Sequence, residues 1–356
     1  MTFVKSRRRL TVAIASGGLV TLAPAFLFNT VANAQKSSSN GDGNLVLPKE
    51  TALNASSYKD LTITNPATKR VLELRIRVPK DLQPNQKVPL IIYSPGLGSG
   101  VANGAPWCDA WQKAGFIVVT ISHPVTNDGI WNTKTSSLKA NLQAAIAGPQ
   151  YGLRVSDCQF VISQCLTKLG IEGNIDPKKI GIAGHSYGAL TTQAITGQHA
   201  SQRDPRIVAA IAMSPTAATP ESSKAMGGVH IPFFCITGDH DDYITFTDGV
   251  DSTRLGVPLA KRKAVYDGLP KGKKQLYVMG NADHMTFAGE PIDGNRFSRD
   301  IPVTDELNQA SWKRISEITT DFWRSYFSDK PLSEQRTQFK KSAESIIVKG
   351  DVLEIG

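Results

Sequence analysis

A serine lies between two glycines at the point where a predicted strand ends and a predicted helix begins. The segment reads KKIGIAGHSYGALTTQAI over residues 178–195, with GHSYG at residues 184–188. Glycine and serine are common in turns, so Gly-x-Ser-x-Gly can arise by chance. A strand before the turn and a helix after it are instead the setting of a nucleophile elbow, which holds a serine hydroxyl above the end of a sheet. This context favours the elbow and makes Ser186 the predicted nucleophile.

A serine hydroxyl attacks a carbonyl efficiently only when a base removes its proton and a third group orients that base. Of the six histidines, His284 is the candidate base, because MGNADHMTF places it in the loop after the last parallel strand. Ligands of open α/β sheets bind at the edge that this loop can reach. We expect His123 to line the site without acting as base, and His185 to point away from Ser186. The other histidines are expected to be bystanders: His199, His230 and His240.

The acid that orients the base is expected in the loop after the preceding strand. There CITGDHDDYITF supplies Asp239, Asp241 and Asp242. The spacing from Gly238 puts Asp241 at the turn away from the strand, from where it can reach back to a histidine. Asp239 more naturally caps the turn and Asp242 points outward, and both remain open as alternatives. The order Ser186, Asp241, His284 is that of nucleophile, acid and base in the α/β-hydrolase fold.

An oxyanion that develops during attack needs backbone N–H groups aimed at it. The residue after the nucleophile, Tyr187, is expected to supply one of them. The other is expected from the loop YSPGLGSG after the third strand, where Gly96 and Gly98 let the backbone turn its amides inward. Leu97 between them is the expected donor.

Apolar segments along the chain predict the sheet that must position these residues. LTITN and RVLELRIRVP alternate apolar with polar residues, which is typical of antiparallel strands with one solvated face. Denser apolar runs predict buried parallel strands: VPLIIYS, FIVVTIS, IVAAIAMS, IPFFCIT and KQLYVMG. APWCDAWQKAG and the periodic segments 155–169 and 307–326 predict helices between them. This alternation predicts an α/β fold with a mostly parallel central sheet of about eight strands, helices on both faces and no large cap domain.

The first residues have the pattern of an export signal. SRRRL at residues 6–10 is basic, an apolar stretch follows, and ANA at residues 32–34 fits a signal-peptidase site, with cleavage after Ala34. The arginine pair also matches a twin-arginine signal. A membrane anchor is the alternative, although Pro24 and a glycine pair interrupt a span that is already short for a bilayer. We expect an exported protein, periplasmic or extracellular, with a flexible leader at 35–44, a catalytic domain at 45–327 and an extension at 328–356.

Composition and charge exclude several other classes of function. The 356 residues are 40% apolar, which suits a large core, and carry a formal charge of +9 that falls to +5 without the predicted signal peptide. The basic clusters KRK at 261–263 and KGKK at 271–274 are small and resemble solvated loops, so neither nucleic-acid binding nor stable membrane insertion is expected.

The four cysteines, Cys108, Cys158, Cys165 and Cys235, lack metal-site spacing. Cys158 and Cys165 lie about 10 Å apart along a predicted helix and cannot bridge each other. Export permits a disulfide, but the sequence leaves its pairing open.

Six separated segments, in order, resemble one family: YSPGLGSG, FIVVTISHPVTND, DCQFVISQCL, IDPKKIGIAGHSYGA, CITGDHDDYI and ADHMTF. Over residues 45–327 the chain resembles the bacterial α/β hydrolases labelled predicted dienelactone hydrolases. That group is similar to platelet-activating-factor acetylhydrolases and, more distantly, to cutinases and polyester (PET) hydrolases. The resemblance implies carboxylic-ester hydrolysis through an acyl-enzyme, with no cofactor. True dienelactone hydrolases carry cysteine where this chain has Ser186, and polyester hydrolases carry an aromatic residue where it has Leu97.

These observations predict an exported serine esterase that acts on a small-molecule ester. The alternatives are a lipase or phospholipase, a polyester hydrolase, a peptidase or amidase, and a catalytically silent binding protein of the same fold. The connection 215–230 is only 16 residues long and polar, and the other insertion, 127–150, is mostly polar. A lid needs an amphipathic helix with an apolar face to bury, so we expect an open, shallow site with a short acyl pocket.

Overall fold

The computed structural model describes residues 58–247, 252–291, 296–299 and 301–356. The predicted signal peptide, the leader and the first residues of the predicted catalytic domain lie outside the described residues. Within them, no helix is both long and apolar enough to cross a bilayer.

Twelve strands are present in the described part of the chain. In chain order they are β1 (Lys59–Asn65), β2 (Arg70–Arg77), β3 (Val88–Ser94), β4 (Ile117–Ser122), β5 (Ile175–His185), β6 (Ile207–Met213), β7 (Phe233–His240), β8 (Tyr243–Thr247), β9 (Ser252–Gly256), β10 (Lys274–Asp283), β11 (Phe297–Ser298) and β12 (Val352–Ile355). Nine of them form the central sheet, in the order β1-β2-β4-β3-β5-β6-β7-β10-β12. From β4 to β10 every neighbouring pair is parallel, whereas β1, β2 and β12 pair antiparallel. The prediction of a mostly parallel sheet is confirmed, with nine strands rather than about eight.

Eight α-helices accompany these strands in the described residues. They are α1 (Ala105–Lys113), α2 (Leu138–Ile146), α3 (Gln150–Cys165), α4 (Tyr187–Gln193), α5 (Pro220–Ala225), α6 (Leu259–Gly268), α7 (Asp305–Tyr326) and α8 (Leu332–Glu344). Alternate residues of β3 show how the two faces of the sheet are covered. Leu90 and Ile92 belong to a core shared with α3, α4 and α6, whereas Ile91 and Tyr93 belong to a second core with α1, α7 and α8. Both faces are buried, which explains the continuous apolar runs of the parallel strands.

The predicted helices are present, but the boundaries of one were wrong. The segment predicted as 155–169 is helical from Gln150 to Cys165. Its apolar period continues past the end of the helix because Leu166 and Leu169 still pack against the core from the following turn. At this end of α3, apolar side chains therefore continue to pack against the core beyond the last helical residue.

The segment 328–356, expected as an extension, joins the same sheet and core. Strand β12 pairs antiparallel with β10, and Phe339 of α8 is fully buried. The ring of Phe339 lies 5.2 Å from that of Phe234 on β7 and 5.6 Å from that of Phe322 on α7. The end of the chain thus covers one face of the strands that lead to the candidate site.

A small second sheet, of order β11-β8-β9, was not predicted from the sequence. The hairpin of β8 and β9 follows β7 after a short turn, and β11 pairs with β8. In YITFT, Tyr243 is exposed while Ile244 and Phe246 are buried, so the alternation of a strand is present but short. Insertions were expected only at 127–150 and 215–230, so this one was not predicted.

Candidate active site

Ser186 lies at the corner between β5 and α4, as the elbow interpretation requires. Its backbone has φ 55° and ψ −113°, outside the regions that residues with a side chain normally occupy. Such a conformation costs on the order of 1–3 kcal/mol and persists only where its surroundings enforce it. Here the Ser186 amide donates to the Met213 carbonyl on β6 (2.9 Å), and the Leu190 amide donates to the Ser186 carbonyl (3.1 Å). The corner is therefore held from both sides.

Gly188 allows helix α4 to start directly against strand β3. A Cβ atom at Gly188 would lie only 1.8 Å from the Ser94 carbonyl oxygen. No other residue type fits at this position without moving the strand or the helix. The second glycine of the motif is thus needed for the position of Ser186.

The predicted base and acid are in hydrogen-bonding contact. Asp241 follows β7 and His284 follows β10, and these parallel neighbours end at the same edge of the sheet as β5. His284 Nδ1 lies 2.8 Å from Asp241 Oδ1. When Nδ1 donates this bond, Nε2 carries the free lone pair that a general base needs. Ser186 and His284 line one pocket.

Asp241 is fully buried and held by three side chains. Besides His284, the Thr237 hydroxyl donates to its Oδ2 (2.8 Å) and Arg262 Nη2 lies 2.7 Å from its Oδ1. Burial alone would raise the pKa of Asp241, but the charge of Arg262 and the contact with His284 outweigh it and lower this pKa below its ordinary value. Asp241 is therefore a carboxylate.

Asp239 and Asp242, the alternatives for the acid, have other partners. Asp239 Oδ1 accepts a bond from the Ala282 amide (3.2 Å). Asp242 Oδ1 accepts one from the Leu259 amide at the start of α6 (2.8 Å). The first braces the end of β10 and the second joins the end of the hairpin to a helix, so the geometry favours Asp241.

The loop after β3 is fixed at the wall of the same pocket. Gly96 and Leu97 line the pocket, and Gly98 has φ +78°, where a side chain would be strained and would clash with Trp131. The Gly98 amide donates to the Thr126 carbonyl (2.9 Å), and its carbonyl accepts from Trp131 Nε1 (2.8 Å). These two bonds fix the backbone of Gly98, the residue directly after Leu97. The oxyanion role of the Leu97 and Tyr187 amides remains a prediction.

His123 does not line the pocket. It lies behind the loop after β3, fully buried, with Nε2 3.0 Å from the Ser94 hydroxyl and Nδ1 2.9 Å from Asp157 Oδ2. Arg70 also pairs with Asp157 (2.9 Å). The sequence offered no signal for this contact, because Asp157 is far along the chain on α3.

His185 was expected to point away from Ser186, yet both residues line the same pocket. It is 3% exposed, lines the pocket, and its ring centre lies 4.7 Å from that of His284. Its Nε2 lies 3.1 Å from the backbone oxygen of His284. Its position as the last residue of β5, next to Ser186, was the available signal. His185 packs beside the base and fixes the backbone that carries it.

Apolar side chains form most of the pocket around Ser186. They are Leu97, Ile244, Phe246, Met285, Ala288 and Phe297. The free volume is about 10 Å³, roughly the room of one water molecule. Behind this wall the ring of Trp131 packs against those of Phe246 and Phe297, at centre distances of 6.2 Å and 5.0 Å. The site is therefore narrower than the open, shallow one predicted, because side chains of the unpredicted strands β8 and β11 form part of its wall.

The cysteines take no part in this pocket. All four are free and buried, and burial raises the pKa of the Cys108 and Cys165 thiols to about 12. In the part of the chain that the structure describes, no group of three or more His, Cys, Asp or Glu residues is arranged to hold a metal ion.

No protein-family model matches this chain, and no curated protein matches it in sequence.

Proposed function

We propose that the protein is a serine hydrolase of the α/β-hydrolase fold that cleaves small carboxylic esters through an acyl-enzyme. The main support is the strained Ser186, which lines the same pocket as a histidine whose Nδ1 meets a buried carboxylate. The mostly parallel sheet agrees with this fold, and the order of the three residues along the chain is the one found in it.

In the proposed reaction the Ser186 hydroxyl attacks the ester carbonyl while His284 Nε2 accepts its proton. Asp241 holds the imidazole in the required tautomer and stabilises the imidazolium. The Leu97 and Tyr187 amides stabilise the oxyanion, and the protonated His284 then gives its proton to the departing alcohol. Water attacks the acyl-enzyme by the same steps and releases the acid. No cofactor is needed for these steps.

The lining of the pocket supports a short, uncharged acyl group as substrate. Among the described residues that line it, none is Lys, Arg, Asp or Glu. A charged acid portion would lose its hydration there without gaining a partner. We place the enzyme outside the cytoplasm, periplasmic or extracellular, on the strength of the segment 1–34. Its partner is a small-molecule ester, and we propose neither nucleic-acid binding nor stable membrane insertion.

A fluorophosphonate probe, which reacts with activated serines, tests this function. We expect covalent labelling of the wild-type protein and none of Ser186→Ala. Ser99→Ala is the matched control, since this second serine hydroxyl lines the same pocket from an unstrained position. Labelling should persist in Ser99→Ala.

Folded wild-type protein that is not labelled would favour a catalytically silent binding protein. Labelling that survives Ser186→Ala would place the nucleophile elsewhere. Turnover of an ester should also exceed that of its matched anilide. A faster anilide would favour the peptidase or amidase alternative.

A further inference from the structure

A buried arginine contacts both the acid and the base of the candidate site. Arg262 lies on α6, and its side chain is 1% exposed. Its Nη2 lies 2.7 Å from Asp241 Oδ1, the same oxygen that His284 Nδ1 approaches to 2.8 Å. Nη2 is also 3.2 Å from His284 Nδ1, and Nε donates to the Asp241 backbone oxygen.

At this position Arg262 opposes one effect of Asp241, the stabilisation of a protonated His284. In a Ser–His–Asp triad the carboxylate stabilises the imidazolium that forms during attack. A fixed positive charge next to Nδ1 disfavours the imidazolium, because like charges at this distance repel. Arg262 therefore offsets some of the field of Asp241 while it holds the carboxylate in place.

Among the described residues, four ionisable groups face His284, and two of them have little effect on its charge. Asp283 is paired with Arg299 (2.7 Å), which compensates its charge. Burial, with the neighbouring His284 as the next cause, lowers the pKa of His185 well below its ordinary value, so His185 is neutral. The balance at His284 thus lies between Asp241 and Arg262. Burial is the main cause that lowers the pKa of His284, Asp241 opposes it, and Arg262 adds to it.

We propose that Arg262 is a positioning residue that fixes Asp241 and keeps His284 neutral, and so able to accept a proton, in mildly acidic solution. This proposal depends on the proposed hydrolase function and adds a pH range to it. The enzyme should remain active below the pH at which a triad without this arginine stops working.

Arg262 also holds the backbone that supports the nucleophile. Its Nη1 donates to the Ser214 carbonyl (2.9 Å), and Ser214 has the positive φ of 54°. The preceding residue, Met213, accepts the hydrogen bond from the Ser186 amide. Loss of Arg262 would therefore disturb geometry as well as charge. A drop in activity alone cannot separate the two effects, but a pH profile can.

The test compares Arg262→Met, which removes the charge, with Arg262→Lys, which keeps it. In kcat/KM for a short-chain ester, we expect the acidic limb of Arg262→Met to move up by roughly one pH unit, since a nearby charge shifts a pKa by one to three units. Arg262→Lys should keep the limb near its wild-type position even if its activity is lower. Arg77→Met is the matched control, because Arg77 is equally buried but pairs with Asp109 on the other side of the sheet. Its limb should not move.

If Arg262→Met does not fold, Arg262→Gln replaces it in the comparison, because glutamine is also neutral but can still donate a hydrogen bond to Asp241. A folded neutral variant with an unchanged limb would overturn the proposal. Equal shifts in the neutral variant and in Arg262→Lys would also overturn it, because the effect would then be one of shape.

An NMR titration of the His284 imidazole separates this proposal from the proposed function. The signal is assigned by its loss in His284→Ala, and the titration needs no turnover. We expect the midpoint of His284 to rise in the neutral variant. If the midpoint rises but the protein hydrolyses no ester, the proposed function is wrong and the effect of Arg262 on His284 stands. If the protein is an active esterase but the midpoint does not move, the proposed function stands and the role of Arg262 is wrong.

Discussion

The described part of the molecule contains two strings of serine, histidine and aspartate, and only in the first does the serine line the candidate pocket. In the first, Ser186 and His284 share a pocket and His284 meets Asp241 at 2.8 Å. In the second, Ser94, His123 and Asp157 are joined by bonds of 3.0 Å and 2.9 Å. Each aspartate is also paired with an arginine, Arg262 or Arg70. The two strings thus share residue types, a bond from histidine Nδ1 to aspartate, and an arginine paired with that aspartate.

They differ in the backbone and surroundings of the serine. Ser94 ends strand β3 and is fully buried, and its hydroxyl also accepts a bond from Arg154 Nη2 (3.0 Å). The same Nη2 group donates to the carbonyl of Pro95, the first residue of the loop after β3. The second string is therefore a brace for that loop. The two serines thus differ in backbone conformation and in access to the candidate pocket, although each string contains a hydrogen-bonded His–Asp pair.

The largest expected contrast is between the two serines. Ser186→Ala should lower kcat by roughly 10⁶, as loss of the nucleophile does in other serine hydrolases. Ser94→Ala should cost less than about tenfold, because it removes the bonds to His123 and Arg154 behind the loop after β3 rather than the attacking group. Steady-state ester hydrolysis measures both. A Ser94→Ala loss as large as that of Ser186→Ala would mean that the buried string takes part in the chemistry.

The two aspartates give the next contrast. Asp241→Asn should lower kcat by roughly 10⁴, because an amide holds the imidazole in the wrong tautomer. Asp157→Asn should mainly lower the free energy of unfolding, since it leaves Arg70 buried without its counter-charge. Kinetics and urea unfolding of both variants distinguish these outcomes. Asp239→Asn and Asp242→Asn are controls with mild effects, and a 10⁴-fold loss in either would reassign the acid.

Local patterns were enough to predict the first string but not the second. Ser186, Asp241 and His284 each follow an apolar strand, and the ends of parallel strands meet at one edge of the sheet. Ser94 and Asp157 carry no such signal, since one is an ordinary strand residue and the other lies on the helix α3. Only the packing of α3 against the sheet brings them to His123. Contacts of this kind depend on tertiary structure and leave no local trace.

The position of Arg262 also could not be predicted from the local sequence. KRK at residues 261–263 was interpreted as part of a solvated loop, but these residues lie on α6, and Arg262 is buried. A helix turns its residues to different sides, so the middle member of a basic cluster can face inward while its neighbours do not. The hairpin of β8 and β9 was missed because YITFT is short for a strand signal. By contrast, the long apolar strands and the helix of residues 305–326 were predicted correctly.

The pH dependence of stability should distinguish the buried brace from ordinary surface histidines. Burial, with the charge of Arg154 as the next cause, lowers the pKa of His123 from 6.5 to about 4. Between these values the unfolded chain binds a proton that the folded chain does not, so stability is complete above pH 6.5 and is lost as the pH falls toward 4. A shift of this size corresponds to at most about 3 kcal/mol of unfolding free energy.

His123→Gln removes this titration. Its unfolding free energy at pH 7 should be lower than that of the wild type, because one bond of the brace is lost. Between pH 7 and pH 4 it should lose up to about 3 kcal/mol less than the wild type does. Urea unfolding at several pH values gives the comparison. Parallel pH profiles for the two proteins would mean that His123 titrates in the folded protein as it does in the unfolded chain, and would contradict the lowered pKa.

The smallest expected effect concerns access of the substrate to the pocket that Ser186 lines and Ser94 does not. Phe246 is 2% exposed, lines the pocket at Ser186 and packs against Phe297 at a centre distance of 5.6 Å. Phe246→Ala should enlarge the acyl pocket and raise kcat/KM for hexanoyl relative to acetyl esters by roughly tenfold, the scale of a few methylene groups in an apolar pocket. Phe116→Ala is the matched control, because Phe116 is also buried but belongs to the core on the other face of the sheet. Both variants should be less stable, by about 3–5 kcal/mol for a fully buried ring, so thermal unfolding will separate stability from selectivity. A chain-length profile that changes equally in both variants, or in neither, would mean that the wall formed by the β8–β9 hairpin does not select the acyl group.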